Sequence, residues 1–277
     1  MDRQTLLESA CRYLASSEDN RIAKEKALAE ELVSVQIFDE PILAVAAADD
    51  SGFEALRSGE VIGAHAALPV DWLPGAKSVL SFFFPFTKII RDGNKVDMSY
   101  PSKGWMHGRV EGQVFIDGFS AFLVELLQGD GFGAVASSIH ERFFSVGGSD
   151  IRGIGKLYTS NWSERHVGYV CGLGTFGLSK GIITEKGMAG RLTSVVTDLQ
   201  LAPDDRAYQR FDENCVLCGK CIQNCPANAI SFEHGKDHEA CSKFVGRTLA
   251  ENKPRYGCGK CQVGVPCEAR NPRARVV

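Results

Sequence analysis

The sequence predicts an α/β body over residues 1–205 followed by a small cysteine-rich module over residues 206–277. Apolar runs of strand length alternate with helical patterns through the first two hundred residues. A polar stretch, "APDDRAYQRFDEN" (202–214), then separates this part from the rest, and we place the linker there. Eight of the ten cysteines follow, all within the last 63 residues.

The overall composition is that of an ordinary globular protein. The 277 residues are 44% hydrophobic and 23% charged, with a net charge of −3, which gives no argument for a nucleic-acid or membrane partner. The longest strongly apolar run, "SVLSFFFPF", is far shorter than the roughly 20 residues that span a bilayer. The N-terminus lacks the basic-then-apolar order of a signal peptide. We therefore expect a soluble, cytoplasmic protein.

Two helices are predicted at the start of the body. Leu6, Ala10 and Leu14 have the spacing of a buried helix stripe, and Cys11 on the same helix is expected to be a packing residue. Residues 21–33, "RIAKEKALAEELV", are rich in helix-forming side chains and predict a second helix.

Strands and a long helix are predicted next. "PILAVAAA" (41–48) and "AKSVLSFFFPF" (76–86) predict strands, the second of them buried on both faces, and a short helix, "GFEALRSG", follows the first. The apolar stripe of residues 110–128 predicts a helix that ends at "GDGFG". "AVASS" (134–138) predicts a third strand.

The last part of the body is expected to hold a capped helix and a hairpin. Asn161 followed by Glu164 three residues later has the form of an N-cap with its capping-box partner, so a helix should begin there. "GIIT" and "LTSVVTDLQL" bracket the loop "EKGMAGR" (185–191) and predict a long hairpin.

The cysteine module has the spacing of a bacterial ferredoxin. Cys215, Cys218, Cys221 and Cys225 follow the pattern C-x2-C-x2-C-x3-C, with Pro226 next. In this arrangement the first three thiolates bind one 4Fe–4S cube and the fourth binds another. Zinc sites instead use two separated C-x2-C pairs, so the spacing favours iron–sulfur over zinc.

Two cubes require eight thiolates, and the module contains eight. By pseudo-symmetry we expect the far cysteine, Cys267, to complete the first cluster. The predicted ligands are Cys215, Cys218, Cys221 and Cys267 for the first cluster and Cys225, Cys241, Cys258 and Cys261 for the second. The second half, C-x2-C-x5-C, is irregular for a ferredoxin repeat.

One further cysteine and two histidines could bind a metal, but we do not predict them to be ligands. Cys171 is expected to be a small packing residue. His234 and His238 fall in the polar loop "EHGKDHEA" and are expected to be solvated.

Three glycine-rich segments precede the module within a short stretch. They are "VGGSDIRGIGK" (146–156), "GLGTFGLSKG" (172–181) and "EKGMAGR" (185–191). The G-x-G-x-x-G spelling in the second follows a helix pattern and not a strand, so it does not predict nicotinamide binding. Glycine allows close approach of a large flat ligand, so the three segments predict one wall of a cofactor pocket.

The segment "ERHVGYVCGLGTFGLSKGIIT…GRLTSVVTDL", the cysteine run and "RYGCGKCQ" together resemble the epoxyqueuosine reductase family. That family shares its cobalamin-binding and iron–sulfur parts with the reductive dehalogenases. The similarity extends from "PGAKSVLSFFFPF" to Cys267 and is sharpest over residues 164–267. The resemblance implies a nitroreductase-like body that holds cobalamin, with two 4Fe–4S clusters that pass electrons to cobalt.

The resemblance also implies site residues. The implied corrinoid pocket contains Glu164, Arg165, Gly172, Gly174, Gly177 and Arg191. The two arginines suit an anionic group of the corrinoid or the substrate, although a surface salt bridge is an equal alternative for Arg165. Tyr158 occupies the position of the family's aspartate general acid. A phenol with a pKa near ~10 is protonated at neutral pH and can donate a proton, and the alternative is a tyrosine that packs a strand end.

The chain departs from the family pattern in three ways: Tyr158 in place of the aspartate, Leu178 in place of a lysine with Lys180 two residues later, and no C-terminal helical repeats. We therefore expect a short paralogue with an unassigned, small-molecule substrate, and tRNA is disfavoured.

The predicted function is that of an iron–sulfur oxidoreductase, a cobalamin-dependent reductase supplied by a low-potential donor such as ferredoxin or flavodoxin. One alternative is an electron-transfer protein, or a corrinoid reductase for a partner protein, with no substrate of its own. Another replaces the corrinoid with a flavin.

Overall fold

The fold is taken from a computed structural model, which describes residues 1–149 and 152–274. The α-helices in this part are α1 (Arg3–Ser16), α2 (Ser51–Ala55), α3 (Pro69–Trp72), α4 (Lys88–Gly93), α5 (Lys103–Gly129), α6 (Glu164–Cys171), α7 (Lys220–Gln223) and α8 (His238–Asn252). The strands are β1 (Ile42–Ala47), β2 (Ser78–Pro85), β3 (Ala134–Val135), β4 (Ser145–Gly147), β5 (Tyr158–Ser160), β6 (Gly174–Phe176), β7 (Ile182–Thr184), β8 (Gly190–Thr197), β9 (Ile230–Ser231) and β10 (Gly235–Lys236).

A four-stranded antiparallel sheet in the order β1-β2-β8-β3 forms the centre of the body. Every residue of β2 is buried, as the sequence predicts for its apolar run. Phe82 and Phe84 pack against Phe119 of α5 on one face, with ring centroids 5.1 Å and 4.8 Å apart. On the other face Phe83 belongs to a second core cluster with Val170 of α6. The sheet is therefore covered by a helix on each side.

One edge of the sheet is only partly covered. β3 pairs with β8 through Ala134 and Val135 alone, opposite Thr197 and Val196. Within the described residues, no strand pairs with the first six residues of β8, 190–195, on that side. The first part of β8 therefore has a free edge between α5 and α6.

Helix α5 is longer than its apolar stripe predicts. It begins at Lys103, because the Ser102 hydroxyl caps it by accepting the N–H of Trp105 (3.1 Å). The added turn carries Trp105 and Arg109 toward the cysteine module. No helix in the described part of the chain has both the length and the apolar content needed to cross a membrane.

The helix predicted over residues 21–33 is wrong. This segment forms turns and one short 3-10 helix, Glu30–Leu32. Its backbone pairs with itself instead, since Ile22 exchanges hydrogen bonds with Val35 and Ser34 (3.0 and 2.8 Å). The side chain of Asn20, which is buried, holds Phe38 in place (2.9 Å). Tertiary pairing overrides local helix propensity here.

The predicted hairpin and the predicted helix cap are also wrong. β7 pairs with β6, whereas β8 pairs with β2 and β3, because the fully buried β2 needs a neighbour on each side. Helix α6 begins at Glu164, and its N-cap residue is Ser163. Asn161 instead accepts the N–H of Phe144 (3.0 Å) and so joins β5 to the segment before β4.

The cysteine module packs directly on the body. Glu268 forms ion pairs with Arg91 (3.2 Å) and Lys95 (2.8 Å). The Asn94 side chain donates to the carbonyl of Cys258 (3.0 Å), and the Met188 N–H donates to that of Cys267 (2.9 Å). The polar stretch 202–214 forms no helix or strand.

Candidate functional site

The first cysteine loop is anchored on the β6–β7 hairpin. Asn214 donates its backbone N–H to the Thr175 hydroxyl (2.7 Å) and its side-chain amide to the carbonyl of Ile183 (2.8 Å). The loop then turns through Gly219, which has a φ of +72°. Such a turn keeps three closely spaced cysteines on one side of the chain.

Four cysteines surround a single recess at this loop. Cys215, Cys218, Cys221 and Cys267 all line it, together with Met188. Burial, followed by the charge of Cys215, raises the pKa of Cys267 to about 12. Burial likewise raises the pKa of Cys221 to about 11. These thiols therefore stay protonated until a cation replaces the protons.

The other four cysteines form a second group. Burial raises the pKa of Cys258 to about 12, and Cys261, Cys241 and Cys225 add to the shift. Among the described residues, no three His, Cys, Asp or Glu side chains are close enough to bind one metal ion.

The two cysteine groups contain matching loops. Cys218-Gly219-Lys220-Cys221 and Cys258-Gly259-Lys260-Cys261 have the same sequence, and both glycines have positive φ, +72° and +66°. The two lysines differ. Lys220 is exposed, whereas Lys260 is fully buried and donates to the backbone and side-chain oxygens of Asn94 (2.6 and 3.0 Å). Burial lowers the pKa of Lys260 to about 8.

Three arginines meet at the free edge of β8. Arg109 comes from α5, Arg165 from α6 and Arg191 from β8 itself. We call the region that they line the basic recess; the module bounds it with Tyr256, whose ring lies 4.9 Å from the Arg109 guanidinium. Cys241 and Cys261 are close enough to act electrostatically on Arg165. The second cysteine group therefore borders the basic recess.

The arginines are accessible but not freely solvated. Arg165 is exposed, yet desolvation lowers its pKa, and the charge of Arg109 adds to this effect. Desolvation and then Arg109 lower the pKa of Arg191 to about 9. Protein atoms therefore surround these guanidinium groups, although solvent still reaches them.

The carboxyl group of Glu164 is buried at the start of α6. Neither carboxylate oxygen is accessible or hydrogen-bonded. The nearby Ser194 hydroxyl accepts the indole N–H of Trp162 (2.9 Å) and keeps its own proton, and Ser194 acts to lower the pKa of Glu164. Burial raises the pKa of Glu164 to about 8, so this side chain is mostly uncharged at neutral pH.

Tyr158 stacks on a histidine of the module. The rings of Tyr158 and His238 are 5.6 Å apart at an interplanar angle of 26°. His238, predicted to be solvated, is half-buried for this reason, whereas His234 is exposed as predicted. Burial, followed by nearby Lys180, lowers the pKa of His238 to about 4. His166 on α6 has its pKa lowered to about 4 by burial and by Arg165.

The three glycines of the G-x-G-x-x-G spelling do not converge on one point. Gly172 ends α6 with a φ of +101° and lies near Asp204, at the opposite end of the helix from Arg165. A methyl group on Gly174 would overlap the Ile183 carbonyl, so close strand pairing requires glycine there. Gly177 lines the recess of the first cysteine group.

Two cysteines and one glycine-rich segment of the body lie away from the basic recess or partly outside the described residues. Cys171 is buried against the Val79 carbonyl, as expected for packing, and Cys11 is half-buried. Of the glycine-rich segment 146–156, residues 150 and 151 lie outside the described residues.

Sequence reasoning missed Arg109, His166 and Lys260. Arg109 lies in the part of α5 that precedes the apolar stripe. Ser102, a typical N-cap residue, could have indicated that the helix begins this early. The repeated "CGKC" spelling marks Lys260, but its burial depends on Asn94, far away in the sequence.

Comparison with known proteins identifies the module. Residues 208–231 match a family model described as "4Fe-4S binding domain". A tetrachloroethene reductive dehalogenase of Desulfitobacterium hafniense is 48% identical over 63 residues, which are 22% of this chain and 11% of that protein. An epoxyqueuosine reductase of Bacillus anthracis is 30% identical over 118 residues, 39% of this chain and 30% of that protein. The matches span less than a third of either relative.

A solved structure shares the fold over nearly the whole chain. The catabolic reductive dehalogenase NpRdhA, in complex with 3-bromo-4-hydroxybenzoic acid, covers 97% of this chain and 36% of its own, with a TM-score of 0.52 and 13% sequence identity. This likeness concerns the fold alone. The relatives confirm the resemblance to epoxyqueuosine reductases and reductive dehalogenases, and the matched domain identifies the chain as a 4Fe–4S protein.

Proposed function

We propose that the chain is an iron–sulfur reductase with two 4Fe–4S clusters that deliver electrons to cobalamin in the basic recess. The observation that supports the proposal is the grouping of eight cysteines into two neighbouring sets of four, which interact through Cys221 and Cys261, with the second set bordering the recess. Cys267 interacts electrostatically with Cys215, Cys218 and Cys221, and Cys258 with Cys225, Cys241 and Cys261. These groups correspond to the ligand sets expected from ferredoxin symmetry.

The positions of the groups give electron flow a direction. Cys218 of the first group is exposed, between the exposed side chain of Leu217 and the surface residue Lys220. A low-potential protein donor such as ferredoxin or flavodoxin can approach this loop. Cys241 and Cys261 of the second group lie near Arg165. Electrons therefore enter at the first cluster and leave from the second toward the recess.

The residues of the recess fit a large cofactor with polar side groups. Cobalamin carries amide groups and a phosphodiester, and the recess offers arginines whose hydrogen-bond partners are neutral. Arg165 and Arg191 would hold the anionic part, whereas the carboxyl of Glu164 is closed off from the recess. Bound there, the corrinoid would supply a strongly reducing metal centre. Gly172 and Gly174 have local structural roles, so we assign the contact to the side chains.

Tyr158 is the proposed proton donor. Its ring is held against His238, the first residue of α8, which also carries Cys241. The stack fixes the orientation of the phenol, and the low pKa of His238 keeps that imidazole neutral beside it. The substrate we propose is a small molecule, since the net charge of −3 disfavours tRNA. Tyr158→Phe removes the proton and keeps the ring, so we expect turnover to fall by roughly 10²–10⁴.

A second candidate function is electron transfer to a partner without a substrate of its own. The exposed first cysteine loop favours it, but the unpaired charges of the basic recess have no role in such a protein. A flavin in place of the corrinoid is a further alternative, since the fold alone does not select the cofactor.

Anaerobic reconstitution separates these functions. The protein is purified without oxygen, loaded with iron and sulfide, incubated with cobalamin or with flavin, and freed of unbound cofactor. We expect cobalamin absorption bands and iron in the ratio of about eight per chain. A retained flavin spectrum would support the flavin form, cluster absorbance alone would support the electron-transfer protein, and one zinc without sulfide would contradict every form of the proposal.

A further inference from the structure

The three arginines of the basic recess have only neutral partners. Arg109 donates to the Tyr256 hydroxyl (3.3 Å), Arg165 donates to the Lys180 carbonyl (2.9 Å), and Arg191 donates to the side-chain oxygen of Gln113. Throughout residues 1–149 and 152–274, no carboxylate lies within ion-pair distance of any of them.

Other arginines of this protein are paired. Arg91 contacts Glu268, and Arg255 contacts Glu111 (2.6 Å), both largely buried. In the basic recess, by contrast, the arginines act on one another, and the opposing charge of Asp117 reaches Arg191 without an ion pair, since Gln113 is hydrogen-bonded to both. Gathering like charges in a partly desolvated place costs free energy. A ligand of opposite charge would remove that cost.

We propose that Arg109, Arg165 and Arg191 form the binding site for an oxyanion group, a phosphate or carboxylate, carried by the molecule that enters the basic recess. Guanidinium groups present a planar pair of N–H donors that match two oxygens of such a group. They arrive from α5, α6 and β8, so one anion can be held from three directions. The inference rests on the proposed function, because it gives the chemical class of the molecule that the proposed reductase binds in the basic recess.

Equilibrium dialysis with radiolabelled inorganic phosphate tests the site. The anaerobic, cluster-containing protein is used at low ionic strength, where electrostatic binding is least screened. We expect one phosphate per chain and roughly tenfold weaker binding for Arg165→Gln and for Arg191→Gln, since a hydrogen bond to a charged group contributes that much. The matched control is Arg57→Gln, an exposed arginine paired with Glu54 (3.9 Å), which should bind as the unmodified protein does.

Thermal unfolding of the same variants separates a ligand site from a structural one. Without phosphate, Arg191→Gln should unfold at the same temperature or higher, because one of three repelling charges is gone. Phosphate should raise the midpoint of the unmodified protein and raise that of Arg191→Gln by less at the same concentration. The proposal is overturned if the unmodified protein binds no phosphate, or if both variants bind it with unchanged affinity.

A further measurement identifies whether the anion belongs to the substrate or to the cofactor. Phosphate binding is repeated after loading with cobalamin. Retained binding assigns the site to the substrate, and displacement assigns it to the phosphodiester of the cofactor. Failure of cobalamin to load would contradict the proposed function and leave the phosphate measurement intact, so the two failures are distinguishable.

Discussion

The indole ring of Trp105 lies directly on the backbone of Gly259, so that any side chain at Gly259 would overlap it. Trp105 belongs to the body and Gly259 to the second cysteine loop, and Gly259 has a φ of +66° that favours glycine in any case. The matching Gly219 of the first loop has the Phe232 ring near it, 3.1 Å from where a Cβ would be. In each loop, therefore, an aromatic ring packs on the glycine between two cysteines.

We expect Gly259→Ala to weaken the attachment of the module to the body. The added methyl group overlaps Trp105 and the residue must keep a positive φ, which together should lower the free energy of unfolding by roughly 2–4 kcal/mol. Anaerobic thermal unfolding and iron content measure the effect. Gly246→Ala on α8 is the control: nothing lies near its added methyl group, and it should stabilise by about 0.5–1 kcal/mol. Equal behaviour of the two variants would contradict the contact.

Single cysteine substitutions should remove one cluster at a time. Cys267→Ser should lose about four of about eight irons and keep the cluster of the second group, and Cys241→Ser should show the reverse. Iron and sulfide analysis with electron paramagnetic resonance of the reduced protein measures both. Cys11→Ser, on α1 and away from the module, should keep full iron content. Full occupancy in Cys267→Ser would rule out its role as a ligand.

Glu164 should make stability fall as pH rises. Its pKa is raised to about 8 in the folded protein from an ordinary value of 4.5, so between these values the unfolded chain releases a proton that the folded chain keeps. Stability from this group is present below pH 4.5 and is lost as pH approaches 8, by roughly 3–5 kcal/mol.

Glu164→Gln should remove this pH dependence. The variant should gain unfolding temperature relative to the unmodified protein at pH 8, and lose that advantage at pH 5. Glu125→Gln, at an exposed position of α5, serves as the control and should shift both midpoints equally. A constant difference between Glu164→Gln and the unmodified protein across this range would show that Glu164 is ionised in the folded state.

Lys260 should tune the reduction potential of the neighbouring cluster. It is buried between Cys258 and Cys261, and a nearby positive charge favours the reduced, more negative state. Lys260→Met should lower that potential by on the order of tens of millivolts in a redox titration. Lys220→Met, the equivalent change in the exposed first loop, should have a smaller effect because water screens its charge. A larger shift in Lys220→Met would contradict this account.

Local patterns predicted the buried strands and the cysteine loops, because those patterns follow directly from burial and ligand spacing. The apolar run of β2 and the C-x2-C-x2-C-x3-C spacing needed no tertiary information. The segment 21–33 failed because Asn20 and the pairing of Ile22 with Val35 decide its path.

The basic recess was only half predictable. The resemblance implied both Arg165 and Arg191, and their charge suited an anionic group, but nothing in the sequence indicated that Arg109 would join them. Arg109 comes from a different helix, and its role depends on the free edge of β8 and on Tyr256. Residues far apart in sequence meet there through packing, which short-range patterns do not contain.

Each cysteine group is hydrogen-bonded to the body through the backbone carbonyl of one of its proposed ligands. Met188 donates to Cys267, and Asn94 donates to Cys258. Loss of iron from either group after exposure to oxygen would therefore loosen the contact between the module and the body, in addition to removing a redox centre. In an aerated cell, the lifetime of such a protein against proteolysis would follow the rate at which its iron is restored.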